Sequence, residues 1–346
     1  MVNSKNSYDN LKEVIVGREL ELNERIIDFT FKHFYKTNLN HSVYEQEKYS
    51  IKKDILQKRI HDLDNLSNVI SSHGVKVYRP DVVDKVYQVK TPQFTSVLSS
   101  ASNVRDLSII IDNKIIETPT YVTGRYFENQ SLYRIFNLIS DGNSQWINAP
   151  KTIITEDTID LDDWDKKRDY TRDMSEFTMA IDGAQFLRMN DDIIVNVSSY
   201  NHYLGFQWVK SFFPDKVFHQ ISVIDNHIDG AIVQLSENSF LISPLYYDIL
   251  VKQLPWLKKY NLIVPDEYTP RSVKNKINLD GQLASSLGMD INVLSLNDKT
   301  VLVNDEANGT ITALERNGFT VVPVELDNCE IFGGGIHCST LDTLRI

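Results

Sequence analysis

The most unusual setting for a nucleophile in this chain is Gly333-Gly334-Gly335-Ile336-His337-Cys338. Cysteine attacks as its thiolate, and a run of glycines reaches backbone conformations closed to other residues and lets a ligand come close. The same motif also fits a glycine turn ahead of a buried, inert thiol. Cys329, the second cysteine, has no such setting and reads as a core or surface thiol. His227 and Asp229 stand two apart, which on a strand points both side chains to one face. A histidine there moves protons near neutral pH, and the aspartate binds a cation or raises the imidazole pKa. The alternative is a polar surface loop, Asp225-Asn226-His227. Asp182, followed by Gly183, is either a turn residue or a functional carboxylate. Asp106, beside Arg105, opens an apolar run and is either functional or paired with its neighbours. His337 is the poorer base beside Cys338, because adjacent strand residues point to opposite faces.

These groups are far apart in sequence, so the elements must gather them. An apolar run, a polar turn and a second apolar run recur over 107–119, 186–197, 231–244 and 291–304. A helical stretch, a glycine and a strand recur at 55–78, around Gly74, and at 311–324, around Gly318, with a looser copy at 132–149. Irregular spacing excludes a fixed-period solenoid and predicts a repeated βαββ-like unit in a closed array, with strand 14–17 pairing with the last segment of the chain. An ordinary mixed α/β domain with several hairpins has the same periodicity. Arg105 and Asp106 precede the first hairpin, Asp182 the second, and His227 and Asp229 the third. Ser285 and Ser286 lie upstream of the fourth, and Cys338 lies near the C-terminal end. Copies set around an axis would bring these approaches to one pocket.

The 346 residues are 42% hydrophobic, enough for a sizeable core. A formal net charge of -11 argues against a nucleic-acid partner and suits a cationic substrate. Two cysteines make no disulfide framework. The polar N-terminus lacks an apolar signal core, and no segment approaches the ~20 apolar residues of a membrane span. The expectation is a cytoplasmic protein in a reducing compartment. HExxH, CxxC pairs, a Walker loop and GxGxxG are all absent, so neither metal nor nucleotide is expected.

Taken together, the segments resemble the amidinotransferase family, which includes glycine amidinotransferase and inosamine-phosphate amidinotransferase. The resemblance runs along most of the chain. It includes Lys12-Glu13-Val14-Ile15-Val16-Gly17, Arg105-Asp106-Leu107, Arg125-Tyr126-Phe127-Glu128 and Ile181-Asp182-Gly183-Ala184. It continues through Tyr203-Leu204-Gly205-Phe206-Gln207-Trp208, His227-Ile228-Asp229, Ile291-Asn292-Val293-Leu294 and the glycine-rich run up to Cys338. It implies one domain over 1–346 with the α/β-propeller (pentein) fold, five-fold pseudosymmetric and built of ββαβ-type modules. It implies Cys338 as nucleophile, His227 as acid and base, and Asp182 as its orienting partner. Asp106, Asp229, Arg105, Tyr246 and Ser286 would bind substrate, with Asp106 and Asp229 gripping the guanidinium. The implied reaction moves an amidino group from a small-molecule guanidino donor, arginine, to an amine acceptor through an amidino-cysteine. It requires no metal and no cofactor, and a homodimer is the implied assembly. The alternative chemistry is hydrolysis, as in arginine deiminase or dimethylargininase-like enzymes. A working thiol is then expected to react unusually fast at neutral pH. Tyr246 stands where the family carries a carboxylate-binding arginine, and Gln185 where glycine-type members carry a second aspartate. The chain also ends sooner after Cys338 than its relatives do. These departures point away from glycine as acceptor and towards a less anionic amine in specialised-metabolite synthesis.

Overall fold

The computed structural model describes residues 1–21, 24–35, 45–83, 85–224, 226–266 and 289–346. Near the N-terminus, β1 (Leu11–Val16) pairs antiparallel with the last strand, Thr340–Arg345, so that Val14 faces Asp342. The connection that follows holds a short hairpin, β2 (Glu24–Ile26) with β3 (Lys48–Ser50), and a short helix, α1 (Phe29–Phe34). The long helix α2 (Lys53–Ser72) then leads to β4 (Lys76–Tyr78), which runs parallel to β1. A second small hairpin, β5 (Gln88–Lys90) with β6 (Thr95–Val97), precedes the next sheet.

That sheet is β7 (Ser108–Ile111) and β8 (Lys114–Glu117), antiparallel, then α3 (Tyr133–Ile139) and β9 (Gln145–Asn148), parallel to β8. The same order returns in β10 (Phe186–Met189), β11 (Asp192–Asn196), α4 (Tyr200–Lys210) and β12 (Val217–Ile221). It returns again in β13 (Ile232–Ser236), β14 (Ser239–Ile242), α5 (Tyr247–Gln253) and β15 (Asn261–Ile263). A last copy is β16 (Leu294–Ser295), β17 (Thr300–Asn304), α6 (Asn308–Arg316) and β18 (Thr320–Val324). With β19 (Thr340–Arg345) and β1 completing the first sheet, five three-stranded sheets share one ββαβ topology. The recurring hairpins and the pairing of the first and last strands match the sequence pattern.

The local reasons are visible. Asp112 and Asn190 turn their hairpins with φ of 52° and 63°, a region that short polar side chains tolerate. Gly74 and Gly318, at φ 78° and 83°, stop α2 and α6 in the left-handed conformation. Alternate residues of each middle strand enter different cores. Ile194 joins the fourth sheet's Ile232 and Phe240, whereas Ile193 and Val195 join the second sheet's Ile109 and Ile116. Ile15 and Leu341 share a cluster with Ile110 and Ile115, Val233 and Leu241 one with Val301 and Val303, and Leu302 one with Val14 and Val16. Each cluster thus lies between two sheets and is covered by a helix, such as Phe136 of α3 or Leu314 of α6. Truncating a fully buried member, such as Ile115→Ala, costs about 2–5 kcal/mol.

A charged knot ties β19 to this frame. Asp342 accepts from Arg105 at 2.8 Å, from Arg188 at 2.8 and 2.9 Å, and from Arg345 at 2.7 Å. All four side chains are buried. Burial would raise this carboxyl, but the three guanidinium groups hold it well below the usual carboxylate range. Among the described residues no helix is long and apolar enough to cross a membrane.

Candidate active site

The approaches to the first strands of the sheets bring the candidate reactive side chains together. Asp106 and Cys338 each stand two residues before a strand, as does Asn292 ahead of β16. Asp182 and His227 each precede a short 3-10 turn, Gly183–Gln185 and Ile228–Gly230, that leads into β10 and β13. Asp106, His227 and Cys338 come together so that their reactive atoms all lie within 4.8 Å of one another.

Each group is held by its own turn. Asp182 accepts from the backbone of its turn, while Gln185 Oε1 accepts from the Asp182 amide at 2.8 Å, a reciprocal cap. Gln185 therefore fixes the carboxylate that meets His227 Nε2 at 2.9 Å. Gly183 presses against the Asp106 segment, where a Cβ would lie 2.5 Å from the Ser108 carbonyl oxygen. On its other side, His227 Nδ1 lies 3.7 Å from Asp106 Oδ1, a carboxylate oxygen with no hydrogen-bond partner. Asp106 Oδ2 is taken by Arg125 at 2.7 Å, and Arg125 is clamped bidentately by Glu128 at 2.7 and 2.9 Å. Arg125 and Glu128, although inside a quoted sequence motif, were assigned no role from sequence.

The thiol is buried, with Cys338 1% exposed. Its Sγ lies 3.2 Å from Asp229 Oδ2, and Asn292 Nδ2 approaches it at 3.2 Å. Asn292 Oδ1 also accepts from the Cys338 amide at 3.1 Å. The fourth approach thus contributes an asparagine; Ser286 lies outside the described residues. Only the strand premise behind the reading of His337 as the poorer base fails here. Residues 336–339 form a turn and not a strand, so alternation does not apply, and His337 Nδ1 meets the same Asp229 Oδ2 at 2.8 Å.

The electrostatics assign protonation states. Burial would lower His227, but Asp106 and the hydrogen bond to Asp182 outweigh it and bring its pKa to about 9, so it is a cation at neutral pH. Burial, aided by Arg105, holds His337 neutral with a pKa of about 4, and its Nδ1–H donates to Asp229. Burial pushes Asp229 up, yet the His337 hydrogen bond and the nearby His227 charge win and bring it to about 2. Burial pushes the Cys338 thiol well up, with Asp229 and Asp106 adding to it. The resting thiol is therefore protonated, and the expectation of a fast-reacting thiolate at neutral pH is corrected: a closed site facing two carboxylates suppresses ionisation. Asp106, His227 and Cys338 are also the one set among the described residues spaced to ligate a metal ion. A protonated thiol is a poor ligand, since metals bind the thiolate.

No family model matches the chain. It is 30% identical to the mitochondrial glycine amidinotransferase of Gallus gallus over 363 residues, covering 99% of this chain and 82% of that protein. The chain belongs to the amidinotransferase family. As a member of it the protein is a transferase. It is also 26% identical to an L-arginine:L-lysine amidinotransferase from Pseudomonas savastanoi pv. phaseolicola over 300 residues, 82% of this chain and 78% of that one. Among solved structures, an amidinotransferase of the saxitoxin biosynthetic pathway from Microseira wollei superposes with TM-score 0.80 at 26% identity, over 99% of this chain and 97% of that one. The inosamine-phosphate amidinotransferase of Streptomyces griseus gives 0.83 at 24%, over 100% and 97%. Dimethylarginine dimethylaminohydrolase, at 0.58 and 11% over 96% and 99%, shares the pentein fold alone.

One residue expected at the substrate is engaged elsewhere. Arg105 turns away into the Asp342 knot, and its Nε donates to the His337 carbonyl at 2.9 Å. It braces the cysteine segment through that carbonyl. Tyr246 is half-buried against the apolar cluster of β13, β14 and α5.

Proposed function

We propose that this amidinotransferase takes an amidino group from L-arginine and delivers it to a cationic or neutral amine through a covalent amidino-Cys338 intermediate. The observation that carries the reading is the meeting of Asp106, His227 and Cys338 within 4.8 Å, with Asp182 on the imidazole and Asp229 on the thiol. An arginine donor is supported by the name of the arginine:lysine relative. The domain reading that accompanies it is a single five-module propeller, supported by five sheets of one topology with a core between neighbouring sheets.

In this mechanism a guanidinium enters between Asp106 and Asp229, and its charge offsets the two carboxylates that keep the thiol protonated. The thiol proton leaves to solvent. Cys338 Sγ bonds to the guanidinium carbon, the C–N bond to the departing amine breaks, and His227 supplies the proton that amine needs. Ornithine leaves. The acceptor amine then attacks the same carbon, gives its proton to His227, and expels the thiolate. Asp182 keeps the imidazole turned towards both events. Tyr246 can hydrogen-bond but not neutralise a carboxylate, which favours an acceptor without one at that position, as in specialised metabolism.

The test is to incubate the protein with arginine alone and with an amine panel, following ornithine, citrulline and the mass of the Cys338 peptide. Ornithine release and an amidino adduct, both absent in Cys338→Ala, are expected. Citrulline as the product would replace transfer by hydrolysis, and glycine as the best acceptor of the panel would overturn the acceptor reading.

A further inference from the structure

Arg59 sits on α2 and reaches the cysteine turn through Ser339. It is 0% exposed, the most enclosed arginine among the described residues. Its partners are neutral. Nη2 donates to Ser339 Oγ at 2.8 Å and to Asn103 Oδ1 at 3.2 Å, and Nε reaches Ser102 Oγ at 3.3 Å. The guanidinium lies 5.1 Å over the Phe332 ring, and Nη1 has no partner. A buried guanidinium is costly unless paired. Every other fully buried arginine described above, Arg105, Arg125, Arg188 and Arg345, has a carboxylate. Arg59 has none among the described residues, so its placement needs another reason.

Its contacts supply one. Ser339 Oγ passes the hydrogen bond on to the Gly335 carbonyl at 2.7 Å, closing the turn that contains Cys338. Asn103 Nδ2 donates to the Phe332 carbonyl at 2.9 Å, and the Asn103 side chain fills the place where a Gly334 Cβ would be. One guanidinium thus grips the stretch 332–339 near both ends, across 280 residues of sequence. Asn292 holds the thiol and the Cys338 amide directly. We infer that Arg59 is a positioning residue for the transfer reaction, fixing the Cys338 turn so that the sulfur faces the carbon held between Asp106 and Asp229. Attack on a planar cation depends steeply on this geometry, and a misplacement of about 1 Å costs roughly 100-fold in rate. The inference rests on Cys338 being the nucleophile.

The experiment compares wild type, Arg59→Met, Arg59→Lys and Ser339→Ala. It reads single-turnover ornithine release, adduct formation on the Cys338 peptide, and arginine Kd in a Cys338→Ala background. Arg59→Met is expected to slow adduct formation about 100-fold with Kd within threefold of the parent. Arg59→Lys, which keeps a donor for Ser339, should recover part of that loss. Ser339→Ala, which keeps the arginine and the fold, should slow adduct formation about tenfold and answers the question if Arg59→Met fails to fold. Unchanged adduct formation in a folded Arg59→Met, or in Ser339→Ala, overturns the positioning role. So does loss of Kd and rate together in Arg59→Met with no recovery in Arg59→Lys. A wild type that releases ornithine without a Cys338 adduct overturns the catalytic reading itself, and this inference with it.

Discussion

Asp229 takes two hydrogen bonds on a single oxygen, from neutral His337 and from the thiol. In the proposed mechanism one carboxylate therefore does two opposite things: it binds a cation when substrate is present and suppresses thiolate when it is absent. Removing it should separate these effects. Asp229→Asn lowers the Cys338 pKa, because a charge that disfavours the thiolate has gone. Iodoacetamide should then modify Cys338 about tenfold faster at pH 8 than in wild type, a change of about one pKa unit, while amidino transfer is lost. Slower alkylation of the variant, with its fold intact by circular dichroism, would refute that assignment. Much of the residue scale was legible beforehand. His227, Asp182, Asp106 and Asp229 stand at the approach to a repeated hairpin, and Cys338 follows a run of glycines. Asn292 carries the same positional signal, two residues before its strand, whereas Ser285 and Ser286 lie further upstream. Arg59 and Arg125 gave none, because their partners are set by the tertiary fold and not by any local period.

At the scale of elements, the cysteine turn is tight because Asn103 occupies the room of the missing side chain. A Cβ on Gly334 would lie 2.2 Å from Asn103 Oδ1, an atom pinned by Arg59. Gly334→Ala is therefore expected to cost about 1–3 kcal/mol of stability and about 100-fold in turnover. Gly318→Ala is the contrast: its Cβ meets nothing, but φ is +83°, so it should cost about 1–2 kcal/mol and leave turnover unchanged. Urea denaturation with steady-state assay of both variants checks this, and equal activity in both would mean that the turn adapts. The hairpins and helix stops were readable from turn residues and glycines. The strand premise for His337 failed for a physical reason: a period of two holds on a strand, and this segment is a turn that enters one.

For the whole molecule, three buried histidines shape stability against pH. Burial holds His202 and His337 at about 4, so an unfolded chain binds two protons that the folded one refuses. Their contribution is complete above about pH 6.5 and is lost as pH falls towards 4, at up to about 1.4 kcal/mol per pH unit for each. His227 has the opposite sign. Burial is outweighed by Asp106 and Asp182, its pKa is about 9, and its contribution is complete below about pH 6.5 and lost as pH rises towards 9. Urea unfolding at pH 5, 6.5 and 8.5 should give the largest free energy at the middle value, and His227→Gln should flatten the alkaline side. A stability that climbs steadily from pH 5 to 8.5 would contradict these states. The pairing of β1 with β19 has one more consequence, for a chain as it is made. Cys338 and β19 are made after the rest of the described fold, so β1 waits without its antiparallel partner until Cys338 has been added. The sulfur that the proposed reaction needs and the strand that closes the first sheet therefore join the fold together.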